Sequence, residues 1–252
     1  VREFCLNLKK NCSCVAKKIP VIPDVVEVED IAGELKGLKQ VPLGVAGDDF
    51  NCLYHDFTKN CVLQILSHDL DDTAYFAQGI YEVLKKIPEV EILVFDEQTP
   101  DVEKQIVRLF EIAVERNNNY KRTGGYPTVD MHPIICLFKS IFKLKSVLSE
   151  DGYSKLYNIL DKSQGTYNLA YFVFDDALSA NRYSAENWYQ NQCKGNGLWI
   201  GAGLGEQMRL QINRRQDILM NKAVDASFGF YVEKGKHRIL KLVTKGYEKG
   251  EK

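Results

Sequence analysis

Continuous apolar runs alternate with amphipathic segments along most of this chain, and this alternation is what most constrains its fold. The run over residues 61–66 is followed by a polar loop and by a helical pattern over 73–87. A second run, over 91–96, precedes a helical pattern over 102–115. A strand that is apolar at consecutive positions is typical of a parallel sheet buried on both faces. The pattern predicts an α/β fold, with a mainly parallel sheet and helices on both faces.

The alternation continues toward the carboxyl end. Composition predicts a loop over 117–128, and the apolar pattern predicts a strand over 133–138, helix as far as 160 and a strand over 169–175. Further β segments are expected at 41–45, 52–57, 197–200, 209–212, 229–233 and 238–243. Prolines punctuate the beginning of the chain, which predicts an extended arm over 1–40. The remainder, 41–252, is predicted to be one domain.

Charge and hydropathy argue against nucleic-acid and membrane partners. The chain has 33 Lys and Arg against 34 Asp and Glu, for a formal net charge of -1. This balance gives no overall positive field to attract nucleic acid or an acidic membrane. No apolar run approaches the roughly 18 residues of a membrane helix. We therefore expect no direct membrane contact by this chain, and any anchor is expected elsewhere in a longer protein.

Several of the seven cysteines are interpreted as core residues of a protein from a reducing compartment. Cys61 and Cys136 lie within apolar runs, where a thiol packs as a small apolar group. Cys5, Cys12 and Cys14 are close together, but a zinc site needs two such pairs or a histidine pair. No metal is expected, and the role of these three cysteines stays open.

The loop after the first buried strand is where a phosphate loop belongs in such a fold. That loop has the form GxxxxGK[ST], in which glycine amides surround phosphate and the lysine reaches the β and γ phosphates. When Thr73 is aligned with its last position, Asp72 replaces the lysine and Asp71 the second glycine. Three aspartates at the start of a helix repel a triphosphate and instead cap the helix. The degenerate pocket positions are Ser67, His68, Asp69, Asp71, Asp72 and Thr73.

An ATPase also needs a carboxylate at the end of an apolar strand, to organise Mg²⁺ and water. Asp96 ends one candidate strand and Asp175 another, whereas the strand over 133–138 ends in Lys139 and Ser140. Acidic residues after strands are also common turn formers. Without an intact phosphate loop, no residue is assigned a catalytic role, and Asp96 and Lys139 are counted as degenerate pocket positions.

The carboxyl-terminal third carries the most specific motifs. The segments YSAENWY at 183–189, GLWIGAG at 197–203 and FGFYVEKGK at 228–236 resemble the C-terminal ATPase domain of EssC-type coupling proteins of type VII secretion. The opening KIPVIP at 18–23, followed by VPLG at 41–44, resembles the entry into such a module. The resemblance therefore covers nearly the whole chain.

This resemblance implies a RecA/FtsK-like P-loop NTPase fold in a membrane-anchored protein at the cytoplasmic side of the bacterial membrane. It also implies a neighbouring ATPase domain in the same chain, assembly as a homo-hexamer, and secreted WXG100-like proteins as partners. The departures at Asp71, Asp72 and Lys139 favour a non-hydrolysing module for substrate recruitment, regulation or assembly, with no cofactor.

Two other functions stay open from the residues alone. One is a nucleotide-binding ATPase with an atypical loop that uses Mg-ATP, and the other is a DNA translocase module, which the balanced charge disfavours. Substrate recognition would need an exposed apolar groove. The candidate surface residues are Tyr126, Tyr183, Trp188 and Tyr189, although burial in the core is the alternative for Trp188.

Overall fold

A computed structural model describes residues 21–31, 35, 37–125, 131–213 and 224–245. The strands in these ranges are β1 (Val41–Ala46), β2 (Cys52–His55), β3 (Val62–Ser67), β4 (Glu91–Phe95), β5 (Ile134–Lys139), β6 (Leu169–Asp176), β7 (Asn196–Ile200), β8 (Phe228–Glu233) and β9 (Lys236–Leu242). The helices are α1 (Val28–Ile31), α2 (Ala74–Leu84), α3 (Val102–Arg122), α4 (Ile141–Val147), α5 (Glu150–Lys162), α6 (Ala177–Tyr183) and α7 (Asn187–Gln192). Short 3₁₀ turns occupy Gly37–Lys39, Leu70–Thr73 and Gly165–Tyr167.

All of these strands join one sheet in the order β2-β1-β9-β8-β7-β3-β6-β5-β4. The pairs from β4 through β5, β6 and β3 to β7 are parallel. The pairs from β7 through β8, β9 and β1 to β2 are antiparallel. Helices cover both faces of the parallel part, so the predicted fold class is confirmed.

Strand β3 lies inside the parallel part, between β7 and β6, and is buried at all six positions. It pairs with β6 on one side and with β7 on the other. The chain leaves β3 in one direction toward β4 and returns through β5 to β6, so the order of the strands reverses beside β3. In open parallel sheets, ligands bind at the carboxyl ends of the strands at such a reversal.

The two faces of the sheet are covered unequally. One face packs against α3, α5, α6 and α7, whose apolar residues share one core cluster. The other face packs against α2 through Phe76, Ile80 and Val83. The described part of the predicted N-terminal arm joins this second cluster through Val26 and Ile31, which are buried.

Three local predictions differ from the structure. The segment 117–128 was expected to be a loop, but α3 continues to Arg122 because Tyr120 packs edge-on against Tyr167, at 5.8 Å between ring centroids. Residues 209–212 do not form a strand, and the Leu210 N–H donates to the Gln207 side chain instead. Strand β4 is half-buried rather than fully buried, because it lies at the end of the sheet.

No helix in the described ranges is both long enough and apolar enough to span a bilayer.

Arg116 of α3 is a buried cation that holds together the loops at the amino ends of β5 and β6. Its guanidinium donates to the Tyr167 and Asn168 carbonyl oxygens at 2.9 and 3.0 Å, and to the His132 carbonyl oxygen at 3.1 Å. Its side chain is 6% exposed, and burial lowers the pKa of the guanidinium. Buried carbonyls that lose a donor carry a desolvation cost.

We expect Arg116→Met to lower the free energy of unfolding by about 3 kcal/mol, because three carbonyls lose their donor. The matched control is Arg108→Met, an exposed position on the same helix, which should change stability by less than about 0.5 kcal/mol. Urea denaturation followed by circular dichroism measures both. Equal stability of the two variants would contradict the structural role of Arg116.

Candidate functional site

The loop between β3 and α2 opens the site at the reversal of strand order. It forms a 3₁₀ turn over Leu70–Thr73, and the Asp69 carboxylate caps this turn by accepting from the Asp71 N–H at 3.1 Å. Between Ser67 and Thr73, all of which the structure describes, there is no glycine and no residue with a positive φ. The loop therefore has helical and extended backbone only.

The hydroxyl groups of this loop are bound within the loop itself. Ser67 Oγ donates to the Asp72 carboxylate at 3.1 Å, and Thr73 Oγ donates to the Leu70 carbonyl at 2.7 Å. Thr73 is only 3% exposed. His68 packs edge-on against Trp199, at 4.9 Å between ring centroids. Gly203, with φ +85°, approaches His68 so closely that an added Cβ would lie 2.2 Å from His68 Nε2.

The carboxyl end of β6 holds a buried carboxylate. Asp175 is 0% exposed, and its Oδ2 accepts from the Ile141 N–H at 3.0 Å and from the Tyr183 hydroxyl at 2.8 Å. Its Oδ1 has no hydrogen-bond partner among the described residues. Burial raises the pKa of Asp175 to about 6, against the lowering effect of the hydrogen bond from Tyr183. One carboxyl group thus connects the start of α4 to the end of α6.

Ser140, which follows β5, has an unusual backbone conformation with φ 61° and ψ 96° and is fully buried. A residue other than glycine rarely adopts a positive φ, and such strain persists only where the surroundings enforce it. Here the Ser140 N–H donates to the Phe174 carbonyl at 2.7 Å, and the Ser140 hydroxyl accepts from the Lys143 N–H at 3.3 Å. The strain therefore lies at the carboxyl edge of the sheet, beside Asp175.

The other acidic residues after strands form turns and caps. Asp176 caps α6, because its carboxylate accepts from the Leu178 and Ser179 N–H groups at 2.8 Å each. Asp96 accepts from the Gln98 N–H at 3.0 Å and from the Thr99 hydroxyl at 2.9 Å. Among the described residues, no three His, Cys, Asp or Glu side chains are grouped so as to hold a metal ion. Cys5, Cys12 and Cys14 lie outside the described residues.

The predicted aromatic surface at residues 183–189 is wrong. Tyr183, Trp188 and Tyr189 are 2%, 0% and 1% exposed, and their rings pack on one another with centroids 5.2 to 5.9 Å apart. The Trp188 N–H donates to the Glu186 carboxylate at 2.8 Å, which explains how the polar atom of this ring is satisfied inside the protein. The fourth residue of that surface, Tyr126, lies outside the described residues.

A cavity of about 410 Å³ lies between α2 and the strands β4, β5 and β6. Its apolar walls include Ala77, Tyr81, Val94, Leu137 and Phe174. The degenerate pocket positions Asp71, Thr73 and Lys139 also line it. The sequence offers no sign of this cavity, because the continuous apolar run over 91–96 predicts a strand buried on both faces, whereas β4 is half-buried at four of its five positions.

Similarity to known proteins is detected in structure rather than in sequence. No protein-family model matches the sequence, and no curated protein matches it either. The cytoplasmic domain of EssC superimposes with a TM-score of 0.70 at 11% identity over 96% of this chain. EssC (ATPases 2 and 3) from Geobacillus thermodenitrificans gives a TM-score of 0.70 at 13% identity over 90% of the chain. Thermomonospora curvata EccC (ATPases 2 and 3), in complex with a signal sequence peptide, gives 0.65 at 11% identity over 92%.

At these identities the similarity establishes the fold. The chain has the P-loop fold of the type VII secretion ATPase domains of EssC and EccC, so the resemblance seen in the sequence is confirmed at this level. The chain spans about half the length of those solved chains, with 51%, 46% and 45% of them covered.

The buried Asp175 carboxyl predicts a specific dependence of stability on pH. A group whose pKa rises from 3.8 to about 6 on folding stabilises the folded state at low pH, and this contribution is lost as the pH rises through about 6. The loss amounts to about 3 kcal/mol between about pH 4 and pH 6. His55 is buried, and its pKa is lowered to about 4, so it contributes the opposite slope in the same range.

The difference in unfolding free energy between the wild type and Asp175→Asn isolates the Asp175 contribution. We expect this difference to fall as the pH rises from about 4 to about 6 and then to level off. The control is Asp176→Asn, which removes the neighbouring carboxylate that caps α6. Denaturant midpoints across this pH range provide the measurement, and a flat difference profile for Asp175→Asn would contradict the assignment.

Proposed function

We propose that this chain is an ATPase-like domain of a type VII secretion coupling protein that recruits or positions secreted protein and does not hydrolyse ATP. The observation that carries the proposal is the loop between Ser67 and Thr73, which lies where the fold calls for a phosphate loop. A phosphate loop is a concave row of N–H groups that alternates right-handed and left-handed residues. This loop has no left-handed residue and replaces the row by a 3₁₀ turn.

Electrostatics supports the same conclusion. Asp69, Asp71 and Asp72 surround the start of α2, in place of a lysine that would attract the β and γ phosphates. At about 4 Å and an effective dielectric constant near 20, each unit-charge contact is of order 4 kcal/mol before screening. Replacing the lysine by an aspartate changes the sign of that energy. A triphosphate at this position would therefore be repelled by the loop.

Most of the hydroxyl and carboxyl oxygens that Mg²⁺ would need are engaged elsewhere, and the unpaired Oδ1 of Asp175 is buried. Thr73 Oγ donates to the Leu70 carbonyl, and Asp175 Oδ2 accepts from Tyr183 and from the Ile141 N–H. Strand β5 ends in Lys139, a cation where a carboxylate would be needed. The residues present therefore do not fit Mg-ATP, and no catalytic step is assigned to them.

The structural relatives supply the context of the proposal. The EssC and EccC structures contain two ATPase domains, and the EccC structure holds a signal sequence peptide. By analogy, this chain would neighbour another ATPase domain in a membrane-anchored protein at the cytoplasmic side of the membrane. Assembly into a hexamer and recognition of WXG100-like secreted proteins complete the proposal. Its role would be recruitment, regulation or assembly rather than energy conversion.

We expect calorimetric titration with Mg-ATP to show no binding up to millimolar concentrations, and we expect no phosphate release in a turnover assay. The reason is that the loop offers three carboxylates and no concave row of N–H groups. A thermal-shift assay with and without Mg-ATP provides a second measurement, because a ligand that binds only the folded state raises the melting temperature.

Thr73→Ala and the double variant Asp71→Ala, Asp72→Ala serve as diagnostic changes. Saturable binding by the wild type that Thr73→Ala abolishes would overturn the proposal and revive an ATPase with an atypical loop. Binding that appears only in the double variant would show that repulsion, rather than the backbone of the loop, excludes the nucleotide. Salt-sensitive binding of duplex DNA would instead indicate a translocase module.

A further inference from the structure

The cavity beside α2 exists because one face of the sheet is incompletely covered. Strand β4 exposes part of this face beyond α2, because Ile92 and Val94 are half-buried there, whereas Ile135 and Leu137 of the neighbouring β5 are buried. The cavity volume of about 410 Å³ lies within the usual range for ligand sites. Its walls combine the aromatic rings of Tyr81 and Phe174 with the aliphatic side chains of Val94 and Leu137. The cavity therefore suits apolar side chains.

The backbone of β4 shows which kind of molecule can enter from the side. β4 ends the sheet, and β5 is its strand partner in the described part of the chain. The Glu91 N–H donates to the Pro133 carbonyl at 2.9 Å, so the backbone groups of Glu91 point toward β5. Because these groups alternate in direction along a strand, those of Ile92 and Val94 point outward. Such a free edge is a template for another extended chain.

The register of the sheet shows where side chains of an added strand would lie. Val94 is paired with Leu137, and Leu137 with Phe172, so an apolar row crosses three strands and ends at Val94. Val94 and Leu137 both line the cavity. A residue of an added strand opposite Val94 would extend this row and point into the cavity, and its neighbours on either side would point away.

Two charged residues restrict the occupant further. Lys139 and Asp71 line the cavity and are exposed, and no ion pair joins either side chain to another described residue. A complementary segment therefore carries one carboxylate and one cation around its apolar residues. Asp96, two residues beyond Val94, is held in its own turn by Gln98 and Thr99.

We infer that the free edge of β4 and the adjoining cavity bind an extended apolar peptide segment by strand addition. The backbone groups of Ile92 and Val94 pair with the segment, one apolar side chain enters the cavity beside Val94 and Leu137, and Lys139 and Asp71 meet its flanking charges. The assignment of this segment to a secreted protein rests on the proposed function, whereas the inference of strand addition rests on the geometry of β4 and the cavity.

Residue-resolved amide hydrogen exchange tests strand addition directly. In the free chain, the outward N–H groups of Ile92 and Val94 should exchange rapidly, whereas that of Leu93, which points toward β5, should be protected. Two probes are added separately: a peptide from the C-terminal tail of a WXG100-type protein, and a designed peptide of alternating threonine and valine with free termini. Binding should slow exchange at Ile92 and Val94 by about tenfold or more and leave Leu93 unchanged.

Ile92→Pro removes the outward N–H while sparing the ladder with β5, since proline is tolerated on an edge strand when its nitrogen faces outward. We expect this variant to bind peptide about tenfold more weakly, from the lost hydrogen bond and the blocked approach. Ile92→Val keeps the N–H and should bind as the wild type does. Lys139→Gln should weaken binding about threefold, because it removes an exposed ion pair between Lys139 and a carboxylate of the peptide. Wild-type exchange data remain decisive if Ile92→Pro fails to fold.

The outcomes separate this inference from the proposed function. Protection of Ile92 and Val94 by the WXG100-type peptide supports both. Protection by the designed peptide alone supports strand addition and counts against the secretion role. Strand addition is overturned if neither peptide protects these two residues, or if Ile92→Pro binds peptide as tightly as the wild type does. The proposed lack of ATP hydrolysis is tested independently, by nucleotide titration.

Discussion

The complete burial of β3 is the constraint on which the rest of the structure depends. Both edges of this strand are paired, by β6 and β7, and helices cover both of its faces. The polar side chain of Gln64 in its middle is buried too, and its amide donates to the Tyr183 hydroxyl at 3.2 Å. Because β3 cannot shift without breaking two ladders, the loop after it must emerge at the carboxyl edge beside the end of β6. That placement makes this edge the candidate site.

Most polar groups at this edge bind the protein itself. Asp175 connects Ile141 to Tyr183, and Asp176 caps α6. These hydrogen bonds within the protein leave few polar groups free to hold a ligand. They also stabilise the carboxyl edge, because buried polar groups are costly without partners. The outward backbone groups of Ile92 and Val94 on β4 are the contrasting case. Among the described parallel strands, the backbone groups available for new hydrogen bonds thus lie at the side of the sheet, on β4.

The sequence predicted the parallel sheet well because apolar runs of five or six residues leave few alternatives. It also predicted the start of α2, but the Asp69 carboxylate caps the 3₁₀ turn before this helix, and no side chain caps α2 itself. It failed where tertiary contacts decide the outcome. Asparagines at 117–119 indicated a loop, but Asn117 accepts from the Tyr167 hydroxyl at 2.8 Å, and the helix continues.

The aromatic residues at 183–189 show a second limit of local reasoning. Aromatic rings with polar atoms suit an exposed binding surface and a core equally well. The burial of Trp188 depends on Glu186, which also accepts from the Tyr153 hydroxyl of α5 at 2.7 Å. No pattern within the segment reveals that partner, which lies 33 residues away in the chain. The position of the cavity was hidden for the same reason, since its walls come from α2 and three strands.

The unequal covering of the sheet follows from its topology and explains why a cavity lies beside α2. Crossovers between parallel strands are right-handed, so a crossover that reverses direction along the sheet places its helix on the opposite face. The chain moves one way from β3 through α2 to β4 and the other way from β4 through β5 and β6 to β7. Consequently α3, α5 and α7 share one face, and of the helices that the structure describes, α2 is the one that crosses the parallel part of the other face. One helix does not cover all five parallel strands, so in the described part of the chain the face next to β4 stays partly open. The cavity and the free edge therefore have a single origin, the reversal at β3 that also creates the carboxyl-edge site.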